Sequence, residues 1–214
     1  MITAEYASKE ALKIANLAPV IPVLVVHDAA IARPLAEALV AGGLPALEVT
    51  LRTPAALDVI REMAQVEGGV VGAGSILTPE MVTQVVEAGA KFGVSPGSTD
   101  KVLDAAEAAD LPMLPGAATA SEVMKLLERG YTMQKFFPAE IAGGAAAIKA
   151  IGAPIPGVTF CPTGGVSPKN AMDYLSLKNI VCVGGSWVCP QSLIDAKDWK
   201  GIEELAREAS QLGK

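Results

Sequence analysis

The sequence has a single histidine, His27, and only three cysteines, Cys161, Cys182 and Cys189. An odd number of cysteines without CxxC spacing supports neither a disulfide framework nor a zinc site, and a structural thiol role is expected. Positive charge is also scarce, with 17 Lys and Arg against 23 Asp and Glu and a net charge of -6. That balance gives no general attraction to phosphate backbones or anionic lipid, so nucleic acid and membrane are poor partners, and an anionic ligand needs a local positive site. The longest apolar run, Leu17 to Val26, stops at His27 and Asp28. It falls well short of the roughly 20 residues a membrane helix needs. Met1 to Asn16 carries Glu5, Lys9, Glu10 and Lys13 and lacks the apolar stretch and cleavage site of a signal peptide, so a cytoplasmic protein is expected.

What is abundant is apolar. With 214 residues, 51% hydrophobic and 19% charged, the chain can bury a sizeable core as one domain spanning 1–214. A mean hydropathy of +0.40 suggests apolar surface covered by identical subunits. Short β-branched apolar runs begin near Pro19, Ala46, Gly69, Lys91, Leu111, Tyr131, Val158 and Ile180. Each is followed by helix-forming sequence: 29–40, 53–64, 78–88, 98–109, 119–129, 144–151, 167–175 and 199–212. Thr78-Pro79-Glu80, Ser167-Pro168 and Thr119-Ala120-Ser121-Glu122 read as helix starts. Regular alternation implies parallel strands joined by crossover helices. The expected fold is α/β, a (β/α)8 TIM barrel, with an extra N-terminal helix near 8–16 covering its bottom. A doubly wound sheet is the alternative, weakened by the lack of a GxGxxG after the first strand.

In such barrels the active site lies at the carboxyl ends of the strands, so polar residues late in an apolar run need an explanation. On the second run Glu48, Thr50 and Arg52 alternate with Leu47, Val49 and Leu51, which places the three polar residues on one inward face. On the sixth run Lys135 is the one lysine that lies inside an apolar strand beyond its first residue. A buried ammonium is costly unless paired or discharged, and that cost suits a lysine to nucleophilic chemistry. The competing reading is an ion pair of Lys135 with Glu48 that merely holds the interior together. Two glycine pairs, at Gly164-Gly165 and Gly184-Gly185, end the seventh and eighth runs. Barrels commonly hold phosphate at these two loops, where backbone N–H groups can approach an anion.

The chain resembles the 2-keto-3-deoxy-6-phosphogluconate (KDPG) and 4-hydroxy-2-oxoglutarate (KHG) aldolases nearly end to end. The likeness is carried by Pro19-Val20-Ile21-Pro22-Val23, Glu48-Val49-Thr50-Leu51-Arg52-Thr53, Val71-Gly72-Ala73-Gly74-Ser75, Ser95-Pro96-Gly97, Lys135-Phe136-Phe137-Pro138-Ala139-Glu140, Pro162-Thr163-Gly164-Gly165 and Gly184-Gly185-Ser186-Trp187. It implies a homotrimeric class I aldolase that needs no metal or other cofactor and acts on a phosphorylated 2-keto acid. By position Lys135 matches the imine lysine and Glu48 the general acid/base. Arg52 and Ser75 match the holders of the pyruvyl carboxylate, and Pro96 and Phe137 the pocket walls. Thr163, Gly164, Gly165, Gly185 and Ser186 match the phosphate end. Ser75 departs from the Thr more usual in that family, while Arg52 points to the gluconate rather than the galactonate branch. The alternatives are a KHG aldolase and a phosphosugar-binding barrel without covalent chemistry. A metal-dependent class II aldolase is disfavoured by the single histidine.

Overall fold

The computed structural model describes residues 1–213. Its strands are β1 (Val20–Leu24), β2 (Ala46–Thr50), β3 (Val70–Gly74), β4 (Phe92–Val94), β5 (Met113–Leu114), β6 (Gly116–Ala117), β7 (Met133–Phe136), β8 (Thr159–Pro162) and β9 (Val183–Gly185). Its helices are α1 (Ala4–Ala15), α2 (Ala32–Ala41), α3 (Ala56–Met63), α4 (Pro79–Glu87), α5 (Asp100–Ala108), α6 (Ala120–Arg129), α7 (Gly144–Gly152), α8 (Ala171–Leu175), α9 (Gln191–Asp195) and α10 (Trp199–Ser210).

All strand pairings are parallel. They form a six-stranded sheet, β5-β4-β3-β2-β1-β9, and a three-stranded sheet, β6-β7-β8. The expected fifth strand is thus two short pieces around Pro115, which has no N–H to donate to a ladder. Pro115 still contributes its carbonyl, which accepts from Lys135 N at 2.9 Å. At the other side, single bridges at Phe160–Ile180 and Thr163–Gly184 link β8 to the β9 segment. The result is an α/β fold with a curled parallel sheet.

Consecutive strand residues alternate between two apolar cores, as period-two geometry requires. Leu47, Val49, Val71 and Ala73 face the helices, packing with side chains such as Leu35, Leu39, Val59 and Ile60. Ile21, Ala46, Phe92, Val94, Leu114, Met133, Cys161 and Cys182 face the concave side together with Ala11 and Ala15 of α1. The N-terminal helix, slightly longer than expected, therefore covers the amino-terminal end of the sheet. Ser8 anchors it: its Oγ accepts hydrogen bonds from Thr132 N and Met133 N, both at 2.9 Å.

The helix starts follow local chemistry. Thr78 Oγ1 accepts from Met81 N at 3.3 Å, and Thr119 and Glu122 form a reciprocal capping box. Ser167-Pro168 is different. Asn170 Oδ1 accepts from Ser167 N and Ser167 Oγ, at 2.7 and 3.1 Å, which holds these residues in a turn and delays α8 to Ala171.

Candidate active site

Glu48 on β2 and Lys135 on β7 both point into the concave side, on strands that do not pair with each other. Their side chains meet across the interior, with Lys135 Nζ 3.2 Å from Glu48 Oε1, although 87 residues separate them in sequence. Lys135 is 5% exposed and Glu48 3%. Space for the carboxylate comes from the neighbouring strand, where Glu48 pairs with Gly72 and Thr50 with Gly74. A Cβ at Gly74 would collide with the Glu48 carboxylate, and one at Gly72 with the Phe92 ring. Glycines at 72 and 74 thus clear the concave face of β3, and their two-residue spacing in the sequence is the signal that could have shown it. Lys135 Nζ also lies 5.4 Å from the centre of the Phe137 ring, within cation–π range.

Thr50 keeps the face of Glu48, whereas Arg52 lies outside the strand. Thr50 is buried and donates its hydroxyl to Leu24 O at 2.9 Å, which ties β2 to β1. Arg52 lies beyond the end of β2, in a turn that begins after Leu51 N donates to Gly74 O and is held by Thr53 Oγ1 donating to Val26 O. Strand alternation therefore stops short of Arg52, whose side chain is exposed at the carboxyl edge of the sheet. Among the described residues, no carboxylate forms a salt bridge with its guanidinium.

The other candidates sit on the same edge. Ser75 follows β3 with φ of 62°, a left-handed conformation that a β-branched residue tolerates poorly, which fits serine there. Pro96 follows β4, and a Cβ on Gly116 of β6 would strike its carbonyl, so that glycine permits the close approach. Thr163, Gly164 and Gly165 follow β8, the two glycines at φ of 101° and 79°. Phe137 joins the two groups: its ring is within cation–π range of Lys135 on one side and lies 3.3 Å from where a Gly164 Cβ would stand on the other. Gly184 on β9 leaves room for the Thr163 hydroxyl, while the Trp187 ring covers Gly185. Ser186 follows as an exposed residue.

Two contributors escape a reading of strand ends. Cys161 and Cys182 form a thiol layer on the concave side, and Thr163 Oγ1 lies 3.9 Å from Cys161 Sγ. A hydrogen bond to Cys161, followed by burial, raises the Cys182 thiol well above the usual range, so it stays protonated. Among the described residues no group of three His, Cys, Asp or Glu side chains could hold a metal ion.

A curled parallel α/β fold with a buried lysine and carboxylate at the carboxyl ends of its strands has the groups that covalent carbonyl chemistry needs, and the relatives of this chain define its class as aldolase, an enzyme of the lyase class. The chain belongs to the KDPG and KHG aldolase family, whose model matches residues 11–205. It is 50% identical over 192 residues to the KHG/KDPG aldolase of Escherichia coli (strain K12), a match covering 89% of this chain and 90% of that one. A solved 2-keto-3-deoxy-6-phosphogluconate aldolase from Zymomonas mobilis ZM4, in complex with 3-phosphoglycerate, is 48% identical, with a TM-score of 0.91 over 97% of this chain and 98% of that one. The KDPG aldolase of Legionella pneumophila, with pyruvate captured as a covalent carbinolamine, is 45% identical, with a TM-score of 0.89 over 92% and 97% of the two chains. No helix among the described residues is long and apolar enough to cross a membrane.

Proposed function

We propose that this chain is a class I aldolase that cleaves 2-keto-3-deoxy-6-phosphogluconate to pyruvate and glyceraldehyde 3-phosphate through an imine on Lys135. The observation that carries this reading is the buried Lys135–Glu48 contact of 3.2 Å at the carboxyl edge of the sheet. An ion pair kept only for stability is a weak use of such a position, since desolvation offsets most of the attraction. The carbinolamine in the Legionella relative supports covalent chemistry for the family.

In this mechanism Glu48 accepts the Lys135 proton across their contact and frees the amine to attack the C2 ketone. The protonated Glu48 then assists loss of water from the carbinolamine. The resulting iminium withdraws electrons from the C3–C4 bond while Glu48 takes the C4 hydroxyl proton, directly or through a water, and the aldehyde leaves. The enamine on Lys135 is protonated and hydrolysed to pyruvate. Arg52 clamps the carboxylate, its planar fork matching two oxygens at once, with the Ser75 hydroxyl beside it. Pro96 and Phe137 wall the pocket. Thr163, Gly164, Gly165, Gly185 and Ser186 form the phosphate end, where the positive-φ glycines let the backbone approach an anion.

The same reading joins the six- and three-stranded sheets into one closed eight-stranded barrel within a single domain. The Pro115 passage and the Thr163–Gly184 bridge support that closure. It also takes the working form as a cytoplasmic homotrimer, for which the 90% exposed Ile141 and 57% exposed Leu77 offer apolar surface to cover. A second substrate, 4-hydroxy-2-oxoglutarate, is favoured by the double name of the E. coli relative. Borohydride reduction in the presence of pyruvate, followed by peptide mapping, should place one reduced adduct on Lys135; an adduct elsewhere, or none, defeats the proposal.

A further inference from the structure

The turn after β8 is held from outside by groups that the proposed mechanism does not use. Ala139 N donates to Thr163 O at 2.8 Å and Glu140 N donates to Gly164 O at 3.0 Å, so the segment after β7 is laddered onto the turn. The carboxylate of Glu140 then accepts a hydrogen bond from the hydroxyl of Tyr174, a fully buried residue on α8. Gly165 lies directly against Glu140, because a Cβ at 165 would stand 2.7 Å from Glu140 Cβ and Cγ. From the other side Asn170 Nδ2 donates to Gly165 O at 3.1 Å. The backbone of Gly164 and Gly165 is thus gripped between β7's extension and the start of α8.

A carboxylate beside an anion-binding turn repels the anion, so its presence there calls for a compensating role. We propose that Glu140 and Tyr174 are positioning residues, a bracket that holds the Gly164–Gly165 turn in its left-handed conformation and thereby sets affinity for the phosphate end of the substrate. The bracket serves the phosphate and not the chemistry at C2, because Glu140 touches the turn through its backbone N–H and its Cβ and Cγ, and Tyr174 acts on the turn through Glu140. Burial, and then the bond to Glu140, raise the Tyr174 phenol above the usual tyrosine range, which keeps it a donor throughout the working pH range. This inference rests on the aldolase reading above.

The test compares Tyr174→Phe, Glu140→Ala and Glu140→Gln with the parent enzyme. Loss of one well-placed hydrogen bond is expected to raise KM for 2-keto-3-deoxy-6-phosphogluconate about tenfold in the first two variants, with kcat within about twofold. Competitive inhibition by inorganic phosphate should weaken by the same factor. The rate of borohydride trapping with pyruvate, which has no distal group, should stay within about twofold of the parent. Glu140→Gln retains an acceptor for Tyr174 and should restore the parent KM, while the Glu140→Ala/Tyr174→Phe double variant should be no worse than either single one. Unchanged phosphate affinity, or a fall in trapping equal to the loss in KM, overturns the bracket. If the parent fails to trap pyruvate at Lys135, the aldolase reading falls instead, and inorganic phosphate binding by titration calorimetry still decides the bracket.

Discussion

The concave side of the sheet is one surface with two characters. Toward the amino-terminal ends it is packed with Ile21, Ala46, Phe92, Leu114 and Met133 beneath α1. Two residues further along the same strands it holds Glu48 after Ala46 and Lys135 after Met133. The strand geometry is the same in both halves; the difference is what fills it and what covers it. In the lower half Ala11 and Ala15 of α1 complete an apolar core. In the upper half glycines at 74 and 184 leave room for the Glu48 carboxylate and the Thr163 hydroxyl. The lower half is an apolar core, and the buried lysine and carboxylate lie directly above it.

The strongest way to break this contrast is to make the upper half resemble the lower. Lys135→Met should abolish borohydride trapping and lower kcat/KM by at least about 10⁴-fold in a coupled pyruvate assay. Glu48→Gln keeps the shape but cannot shuttle protons. It should lower kcat by about 10² to 10⁴-fold while a slowly formed pyruvate adduct still maps to Lys135. Ser8→Ala probes the lower half alone: it leaves Thr132 N and Met133 N without their acceptor and should cost about 1–3 kcal/mol in urea unfolding, with kcat/KM unchanged. At the outer rim, Arg52→Lys should raise KM about tenfold, because an ammonium cannot reproduce a two-point clamp.

The smallest effect concerns the half-buried thiol of Cys189 and the buried one of Cys182. Burial pushes Cys189 from 9.0 up to about 12, and Cys182 is raised as well. A thiol raised in the folded state contributes stability that is complete below its unfolded value and is lost as pH climbs through the folded one. Unfolding free energy should therefore fall from about pH 9 upward, by at most about 1.4 kcal/mol per pH unit for each thiol. Cys189→Ala should flatten that slope in urea titrations at pH 8, 9 and 10.

Most of this contrast was legible in one dimension, because both ingredients are local. The alternation of apolar runs with Ala- and Glu-rich segments announced parallel strands and crossover helices, and Lys135 stood out as a cation where an apolar strand residue belongs. Ser167-Pro168 misled, since Asn170 competes for the backbone and turns a helix start into a turn. For Arg52 the limit is that period-two logic holds only while the strand continues, and β2 ends before that residue.

Sequence alone determined the α/β class, the covered amino-terminal end and the placing of a lysine and a carboxylate inside apolar strands, because those follow from side-chain chemistry and short-range periodicity. Only the tertiary structure decided that Glu48 and Lys135, 87 residues apart on strands that do not pair with each other, come within 3.2 Å. It likewise decided that Glu140 reaches Tyr174 beneath the Gly164–Gly165 turn. The first contact depends on how far the sheet curls and on where Pro115 hands one ladder to the next, and curvature is a sum over many pairings that no single segment encodes.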